Sequence, residues 1–441
     1  MRSKPVFIML YAFVRPLAKI GLKFYFRHID LANAAKIPPN AAVILAANHP
    51  TTFIEPCVLA CFLEQPLHFM ARGDFFKNPL AAKLLRGVHI IPVYRLRDGG
   101  YQGIKNNYKS FDQATQVLLQ KKNLMILAEG RCIHEKRLRP IRKGTGRIAL
   151  GALDSTDLDE VYIVPVGVNY TYPDRPRSNL MINCGEPLRA SEFMDSYRTN
   201  PNAAINQLTE ELQTRLAQEV VIINELADEP LLENLLRLYR TEQPRDERQN
   251  ISHTDRFLRA EKQIADRINH LPTAEKTALT ALSHDYFSRL ERMRITDASF
   301  RGRYRAAGKK HLMVLLGLIP MLLLLIWHLP PILLVQWFSG VKMDTLEFAS
   351  PVKWAGLLVA YLLYCIGWCL FAVFSGTWWL LGWVAVELLA ASYLIRYGEL
   401  ANQWLLHWRT RRQAEHEVKY LRQVRSQLLE QVKLFWKIKE D

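Results

Sequence analysis

The stretch AAVILAANHPTTFIEP, residues 41–56, places an apolar run directly before a histidine and an acid. Residues 42–47 have the length and the apolar composition of a buried β-strand. His49 follows this strand, and Glu55 lies further along with five residues between the two. Open α/β sheets bind ligands beyond the carboxyl ends of their strands, so we expect His49 and Glu55 to lie at a site.

His49 and Glu55 are the residue types of a general base and its orienting acid. If a helix begins at Pro50 or Thr51, Glu55 falls within its first two turns, where its carboxylate can accept the second N–H of the imidazole. That bond fixes the tautomer and raises the basicity of a ring that takes a proton from a hydroxyl. The same spacing is also compatible with a structural pair, so other segments must distinguish a catalytic pair from a structural one.

Outward from this stretch, short apolar runs alternate with helical patterns between residues 33 and 225, which predicts an α/β domain. The predicted strands are 42–47, 67–71, 124–129 and 161–170, and the predicted helices between them include 108–120 and 144–153. We divide the chain into five segments: 1–30, an interfacial membrane helix; 31–225, the α/β domain; 226–310, a charged helical segment; 311–395, transmembrane helices; and 396–441, an amphipathic helix.

The N-terminal segment carries Arg15, Lys19, Lys23 and Arg27 at every fourth position among bulky apolar residues. This pattern predicts a helix in the plane of a membrane, with its cations on one face. A packed amphipathic helix of a soluble domain is the alternative.

The segment 311–395 contains three apolar runs, which are 312–327 with its continuation past Pro330-Pro331, 355–374 and 377–395. The second and third are long enough to span a bilayer. Lys309-Lys310 before the runs favour the cytoplasm, and so do Arg396, Arg409, Arg411 and Arg412 after them, which three simple spans cannot satisfy. A re-entrant hairpin at Pro330-Pro331 would give an even number of crossings.

Glu387 lies inside the last apolar run. An acid within a membrane is a functional suspect. Because no basic residue is near in sequence, we interpret Glu387 as a structural glutamate.

The charge and cysteine content restrict the class of protein. The chain has 58 Lys and Arg against 42 Asp and Glu, a formal charge of +16. This excess favours an anionic partner, which could be nucleic acid, a membrane surface or a phosphate-bearing substrate. The six cysteines form no CxxC pair, which argues against a disulfide framework or a structural zinc site and favours a reduced, cytosol-facing compartment.

Basic residues cluster after the predicted strand 124–129. The segment AEGRCIHEKRLRPIRKGTGRIAL, residues 128–150, places Glu129, Gly130 and Arg131 at the strand end and Lys143 before Gly144, which opens a helix. Cations beside a helix N-terminus form an anion site. A second segment, GVHIIPVYRLRDG at 87–99, places Arg95 just after another apolar run.

Four motifs, in this order, resemble those of the glycerophosphate and lysophosphatidate acyltransferase family. They are NHPxxFIEP, GxxxIPVYR, AEG followed by LRPxxKGTxRIA, and VPVGV, and the resemblance covers roughly residues 20–225. It implies transfer of an acyl group from acyl-CoA or acyl carrier protein to a glycerol-type hydroxyl on a phosphate-bearing lipid precursor. It implies no metal and no other cofactor.

The resemblance also implies the roles of individual residues. His49 is the general base and Glu55 its orienter. The substrate-binding set comprises Asn48, Arg95, Glu129, Gly130, Arg131, Lys143, Gly144 and Pro165. Arg95 and the Glu129-Gly130-Arg131 block would bind the phosphate of the acceptor, and Pro165 belongs to the late motif that shapes the acyl pocket.

The sequence departs from the family pattern in two motifs. The commoner first motif has four residues between its histidine and an aspartate, and the commoner third motif reads Pro-Glu-Gly-Thr-Arg rather than Ala-Glu-Gly-Arg. The second departure leaves the acceptor open among glycerol-3-phosphate, lysophosphatidate, another lysophospholipid and a lyso-aminolipid.

The sequence therefore predicts an α/β acyltransferase domain with a central mixed sheet flanked by helices, plus a helical insert and a C-terminal α-helical membrane region. We expect an integral membrane enzyme of phospholipid synthesis with its catalytic domain on the cytoplasmic face. Its expected partners are a membrane with anionic lipids, an acyl-CoA or acyl carrier protein donor and a phosphate-bearing glycerolipid acceptor, not nucleic acid. A membrane-bound metal hydrolase using His49, Glu55 and His134, and a non-enzymatic membrane scaffold, are the alternatives.

Overall fold

A computed structural model describes residues 5–94, 109–247, 249–301, 307–342 and 346–436. The chain divides into two compact units. The sheet unit comprises Met1–Val221, Glu247–Leu258 and Asp344–Trp354, and the helical unit comprises Ile222–Asp246, Arg259–Met343 and Ala355–Asp441. The five-segment division made from the sequence stays a prediction.

The sheet unit contains one mixed sheet. Its strands are β1 His28–Ala32, β2 Ala42–Ala47, β3 Leu67–Arg72, β4 Ile90–Val93, β5 Asn123–Leu127, β6 Val161–Tyr170, β7 Asn179–Cys184, β8 Leu188–Arg189 and β9 Ile251–Ser252. Their order is β4-β3-β5-β2-β6-β7-β1-β9, with β8 beside β6. The pairs β6–β7 and β6–β8 are antiparallel and the others are parallel, so the predicted mixed sheet is confirmed.

Helices of the sheet unit accompany these strands. They are α1 Pro5–Tyr25, α2 Ile54–Phe62, α3 Pro79–Gly87, α4 at residues 109–119, α5 Gly144–Ser155, α6 Met194–Thr199 and α7 Pro201–Ala217. In α1, Arg15 donates to the Leu63 carbonyl and the Lys19 ammonium lies over the Phe62 ring, while Phe13 and Ile20 are exposed. The packed cations and the exposed apolar side chains therefore lie on different faces of α1.

Strand β2 is central because its sequence can be buried on both faces. Residues 42–47 are all at most 3% exposed, and they pair in register with β5 on one side and β6 on the other. A parallel strand covered on both faces has a continuous apolar sequence rather than an alternating one. The predicted strands 42–47 and 161–170 have the observed bounds, whereas the strand predicted to reach 129 ends at Leu127. It ends there because the chain turns at Gly130, whose φ is +68°.

The helical unit contains the remaining long helices. They are α8 Glu229–Glu242, α9 Arg256–Asn269, which begins in the sheet unit, α10 Thr273–Arg292, α11 Asp297–Phe300, α12 Ala307–Lys342, α13 Leu346–Ser375, which also begins in the sheet unit, α14 Trp379–Arg411 and α15 Glu415–Trp436. The sequence predicts a single helix over 396–441, but the structure has two. The chain turns at Arg412, whose N–H bonds to the carbonyls of Arg409 and Thr410. No glycine or proline marks this break in the sequence.

Three of these helices are long and apolar enough to cross a membrane. The segments are His311–Ser339, Ser350–Ser375 and Trp379–Arg411, chosen by length and composition alone. Helix α12 runs unbroken through Pro330 and Pro331, so the re-entrant hairpin predicted there is wrong. Each proline removes one backbone N–H and disturbs the turn before it, which kinks an apolar helix more readily than it reverses the chain.

Helices α12 and α14 run antiparallel. The Tyr397 hydroxyl donates to the Val314 carbonyl at 2.7 Å, and the Tyr393 hydroxyl donates to the Gly317 carbonyl at 2.9 Å. Rising residue numbers on α12 therefore meet falling numbers on α14. His328 and Glu387 continue this order, with Nε2 and Oε2 3.3 Å apart. Glu387 thus has a histidine partner that is distant in sequence.

Candidate active site

His49 lies in the loop that joins β2 to α2, and its main chain is held from two sides. Its N–H donates to Glu129 Oε2 at 2.6 Å, and its carbonyl accepts from the Ile133 N–H at 3.3 Å. The residue is 8% exposed. The loop therefore fixes the backbone of His49 at the carboxyl end of β2, where the sequence predicted it.

Asn48 extends the pairing of β2 with β6 by means of its side chain. Its Nδ2 donates to the Val168 carbonyl at 2.9 Å, and its Oδ1 accepts from the Val168 N–H at 2.7 Å. Both polar groups of the amide are thus engaged with backbone. This geometry assigns Asn48 to positioning its neighbour His49, and its predicted contact with substrate stays a prediction.

Glu55 lies in the first turn of α2 and is fully buried. Its Oε1 accepts from the Thr51 N–H at 2.7 Å, while Oε2 has no hydrogen-bond partner among the residues that the structure describes. Burial raises the pKa of Glu55 from 4.5 to about 8, although hydrogen bonds from the backbone oppose this shift. Glu55 is therefore mostly protonated at neutral pH, and its bond to the imidazole of His49 stays a prediction.

Glu129 connects two segments of the site through its carboxylate. Oε2 takes the His49 N–H, and Oε1 takes the Arg139 N–H at 3.0 Å. The Arg139 guanidinium lies 3.5 Å from Oε1. Burial raises the pKa of Glu129, and these contacts with Arg139 and His49 oppose it. Glu129 and Arg139 thus form a charged pair that ties the His49 loop to the segment before α5.

The other predicted residues of the basic segment lie around the start of α5. Arg131 is exposed, and its carbonyl accepts from the Arg139 guanidinium at 3.1 Å. Lys143 is exposed and immediately precedes α5. At Gly144 a Cβ would meet no atom within 4 Å, so the first turn of α5 is open there. Gly130 adopts a positive φ that suits glycine.

Pro165 and Arg95 complete the predicted set. Pro165 is buried in β6 opposite Ala46 of β2, and its carbonyl accepts from the Gly185 N–H. It falls between the residues of β6 that pair with β8 and those that pair with β7, so its missing N–H costs no ladder bond there. Arg95 lies outside the described residues.

Three side chains at this site, those of Thr51, Thr52 and Tyr170, were not predicted from the sequence. The Thr51 hydroxyl lies 3.4 Å from the Tyr170 hydroxyl, and the Thr52 hydroxyl donates to the Glu347 carbonyl at 3.0 Å. The two threonines stand inside the first motif, which is the only local signal. Nothing near Thr52 in the sequence indicates a partner at residue 347. Among the described residues, no group of three or more His, Cys, Asp or Glu side chains could hold a metal ion.

Comparisons with known proteins agree with the four motifs. The family model described as Acyltransferase matches residues 28–169, which run from β1 to β6. Glycerol-3-phosphate O-acyltransferase 1 of Saccharomyces cerevisiae is 27% identical over 120 residues, which are 26% of this chain and 16% of the yeast protein. Glycerol-3-phosphate O-acyltransferase 2 of the same yeast is 26% identical over 112 residues, which are 25% of this chain and 15% of that protein.

A solved structure also resembles part of the chain. The 1-acyl-sn-glycerophosphate (LPA) acyltransferase PlsC from Thermotoga maritima aligns with a TM-score of 0.33 and 16% identity, over 49% of this chain and 85% of that one. The chain spans only 16% and 15% of the lengths of the two yeast relatives. The family model and the two yeast relatives match the region that carries the motifs, so the resemblance inferred from the motifs is confirmed.

Proposed function

We propose that the chain is a membrane-bound O-acyltransferase that moves a fatty acyl group from an acyl thioester to a hydroxyl of a phosphate-bearing glycerol derivative. The observation that carries this proposal is the placement of His49 at the end of β2, shortly before buried Glu55 in the first turn of α2, within the region that matches the Acyltransferase model. The donor is acyl-CoA or acyl carrier protein, and the acceptor is glycerol-3-phosphate or a lysophospholipid.

In this proposal the His49 imidazole acts as the general base. It takes the proton of the acceptor hydroxyl while that oxygen attacks the thioester carbonyl. The tetrahedral intermediate then collapses, the C–S bond breaks, and the imidazolium returns the proton to the departing thiolate. The products are an ester and a free thiol. Glu55 in its ionised form accepts the other N–H of the ring and stabilises the imidazolium, and no covalent enzyme intermediate is needed.

The start of α5 suits the phosphate of the acceptor. Its first N–H groups are not used within the helix, and the positive end of the helix dipole favours an anion. Arg131, Arg142 and Lys143 are exposed basic residues in the same stretch of chain. We assign the phosphate to this end of α5, with Arg95 as a further expected cation.

The catalytic domain is proposed to face the cytoplasm and an anionic membrane. Lys309-Lys310 precede the apolar part of α12, and Arg409, Arg411 and Arg412 end or follow α14. Because α12 and α14 are antiparallel, both basic groups belong to the same end of the pair. The positive-inside rule then favours the cytoplasm for that end of the pair. The proposed orientation of the sheet unit rests instead on the formal charge of +16, which favours an anionic membrane surface.

Thiol release from acyl-CoA by the purified full chain in detergent tests this function. The acceptors would be glycerol-3-phosphate, lysophosphatidate, a neutral lysophospholipid and a lyso-aminolipid, and a second series would use acyl carrier protein as donor. The His49→Ala variant is compared with wild type, and His416→Ala, which changes a histidine 81% exposed, is the matched control.

We expect release that requires an acceptor, is lost in His49→Ala and is retained in His416→Ala. Release that His49→Ala leaves unchanged would refute the role of His49. No transfer with either donor and any acceptor would refute the enzyme and favour a membrane scaffold.

A further inference from the structure

The start of helix α13 is part of the sheet unit, although it lies nearly 300 residues after His49 in sequence. Residues Asp344–Trp354 group with the sheet unit, while the rest of α13 groups with the helical unit. The same helix supplies the segment Ser350–Ser375, which is apolar enough to cross a membrane. The contacts of this first part of α13 show which residues of the sheet unit the helix holds.

Two of those contacts fall on the loop between His49 and Glu55. The Thr52 hydroxyl donates to the Glu347 main-chain carbonyl at 3.0 Å. The next residue, Phe53, packs against Trp354, with ring centroids 6.5 Å apart. Thr52 and Phe53 are the last residues before α2 begins at Ile54. The start of α13 thus holds the loop immediately before the helix that carries Glu55.

A third contact anchors the same turns of α13 independently of the loop. Ser350 is 1% exposed, and its hydroxyl lies 2.7 Å from the hydroxyl of Tyr25 at the end of α1. Tyr25 packs on Phe26, and Phe26 packs on Tyr170, whose hydroxyl faces Thr51. The loop is therefore connected to α13 in two ways: directly at Thr52 and Phe53, and at Thr51 through Tyr170, Phe26 and Tyr25.

The thiol of Cys132 marks the same place. Burial raises the pKa of Cys132, a side-chain hydrogen bond with Thr52 lowers it, and the charge of Glu347 raises it. Cys132 is partly buried, so the rate at which its thiol reacts reports on how closely the start of α13 packs against the loop at Thr52.

We propose that the first turns of α13, residues 347–354, form a positioning element of the active site, which sets the geometry of the loop between His49 and Glu55. The inference rests on the proposed function for its catalytic consequence. General-base catalysis depends on placing the imidazole within hydrogen-bond reach of the hydroxyl, and a displacement of about 1 Å can reduce the rate by about 100-fold. Because the start of α13 holds the loop, kcat would depend on residues 347–354, which lie outside the segment 31–225 that the sequence predicts as the α/β domain.

The test compares steady-state kinetics of full-length variants in detergent. Thr52→Val removes the hydroxyl that donates to residue 347 and keeps the shape, Thr52→Ser restores a hydroxyl, and Ser350→Ala releases the second anchor. Glu347→Gln should resemble wild type because the acceptor is a main-chain carbonyl. The matched control is Thr280→Val, which removes a similar bond from a threonine to the Lys276 carbonyl.

We expect Thr52→Val to lower kcat by about 10-fold or more with KM nearly unchanged, and Thr52→Ser to recover most of the loss. Because the two anchors hold one element, the combined Thr52→Val/Ser350→Ala variant should lose less than the product of the two single losses. A readout without turnover is the rate at which a water-soluble maleimide labels Cys132, followed on its peptide by mass spectrometry. It should rise in Ser350→Ala, which keeps the Thr52 hydroxyl that bonds to Cys132, and stay at the wild-type rate in Thr280→Val.

Wild-type kcat in Thr52→Val, or losses that multiply in the combined variant, would overturn the proposal. Unchanged labelling of Cys132 in Ser350→Ala would overturn it as well, because the loop around Thr52 would then not depend on the anchor at Ser350. Failure of the proposed function differs from all of these, since wild type itself would then transfer no acyl group.

Discussion

Glu55 is an acid whose proton is retained by burial. Its folded pKa is about 8 against an ordinary 4.5. Between these values the folded chain binds the proton and the unfolded chain does not, so the free energy of unfolding falls as the pH rises. The contribution of Glu55 is fully present below pH 4.5 and is lost as the pH passes about 8.

Replacing Glu55 by glutamine tests this sign. Glutamine keeps an acceptor for the Thr51 N–H but cannot ionise, so Glu55→Gln should not lose stability over that pH range for this reason. From pH 5 to pH 9, the melting temperature of wild type should therefore fall relative to that of Glu55→Gln. The exposed Glu192→Gln serves as control, and parallel curves for wild type and Glu55→Gln would contradict the raised pKa.

Asn48 offers a second test at the residue scale. Asn48→Ala removes both bonds to Val168 and leaves its N–H and carbonyl without these partners in a buried place. We expect a loss of about 1–3 kcal/mol for each group left unpaired. Thermal unfolding measures the loss, and activity should fall with it because His49 is the next residue. If Asn48→Ala melted at the same temperature as the exposed Asn202→Ala control, the Asn48 side chain would not stabilise the fold.

At the scale of elements, helix α15 is attached by apolar packing and by a partly buried arginine, Arg425. Leu421, Leu428 and Val432 are fully buried. Arg425 binds Asp297 through Nε at 2.7 Å and Glu242 through Nη2 at 2.8 Å. Removing Arg425 leaves the buried Asp297 carboxylate without this cation, whereas Glu242 keeps its ion pair with Arg301.

Arg425→Met should therefore destabilise the attachment of α15 by about 3–5 kcal/mol. Limited proteolysis should cut the chain between α14 and α15 faster in this variant than in wild type. The exposed Arg422→Met is the matched control on the same helix. Equal cleavage of the two variants would mean that the charged cluster contributes nothing to docking.

The elements differ in how far the sequence reveals them. Strands β2 and β6 were predictable because burial on both faces requires continuous apolar runs, and the motifs that follow such runs identified His49 and Glu55. The contact of Thr52 with residue 347 was not predictable, since local periodicity carries no information about a partner so distant in sequence. The contact between His328 and Glu387 was not predictable for the same reason. The sequence also did not show that Arg139, rather than another cation of its segment, pairs with Glu129.

At the scale of the whole molecule, the antiparallel pair of α12 and α14 determines how its ends lie. Three successive crossings would make the first and third helices parallel. The contacts of Tyr393 with Gly317 and Tyr397 with Val314 show the opposite direction. The start of α12 and the end of α14 therefore belong to one side of a membrane that both helices cross.

Single cysteines in a cysteine-free chain test this arrangement. We expect a membrane-impermeant maleimide to label cysteines at positions 311 and 413 from the same side of sealed vesicles, and a cysteine at position 377 from the other side. Labelling of positions 311 and 413 from opposite sides would show three successive crossings and contradict the antiparallel pair.

The central claim is that His49 acts as the general base of an acyl transfer. The most direct measurement is formation of the ester product from labelled acyl-CoA or acyl carrier protein and the best acceptor, by wild type and by His49→Ala. Removal of a general base typically costs about 100- to 10,000-fold in rate, so we expect the product from wild type and almost none from His49→Ala, at equal folded protein. Equal product from both proteins would contradict the assignment of His49.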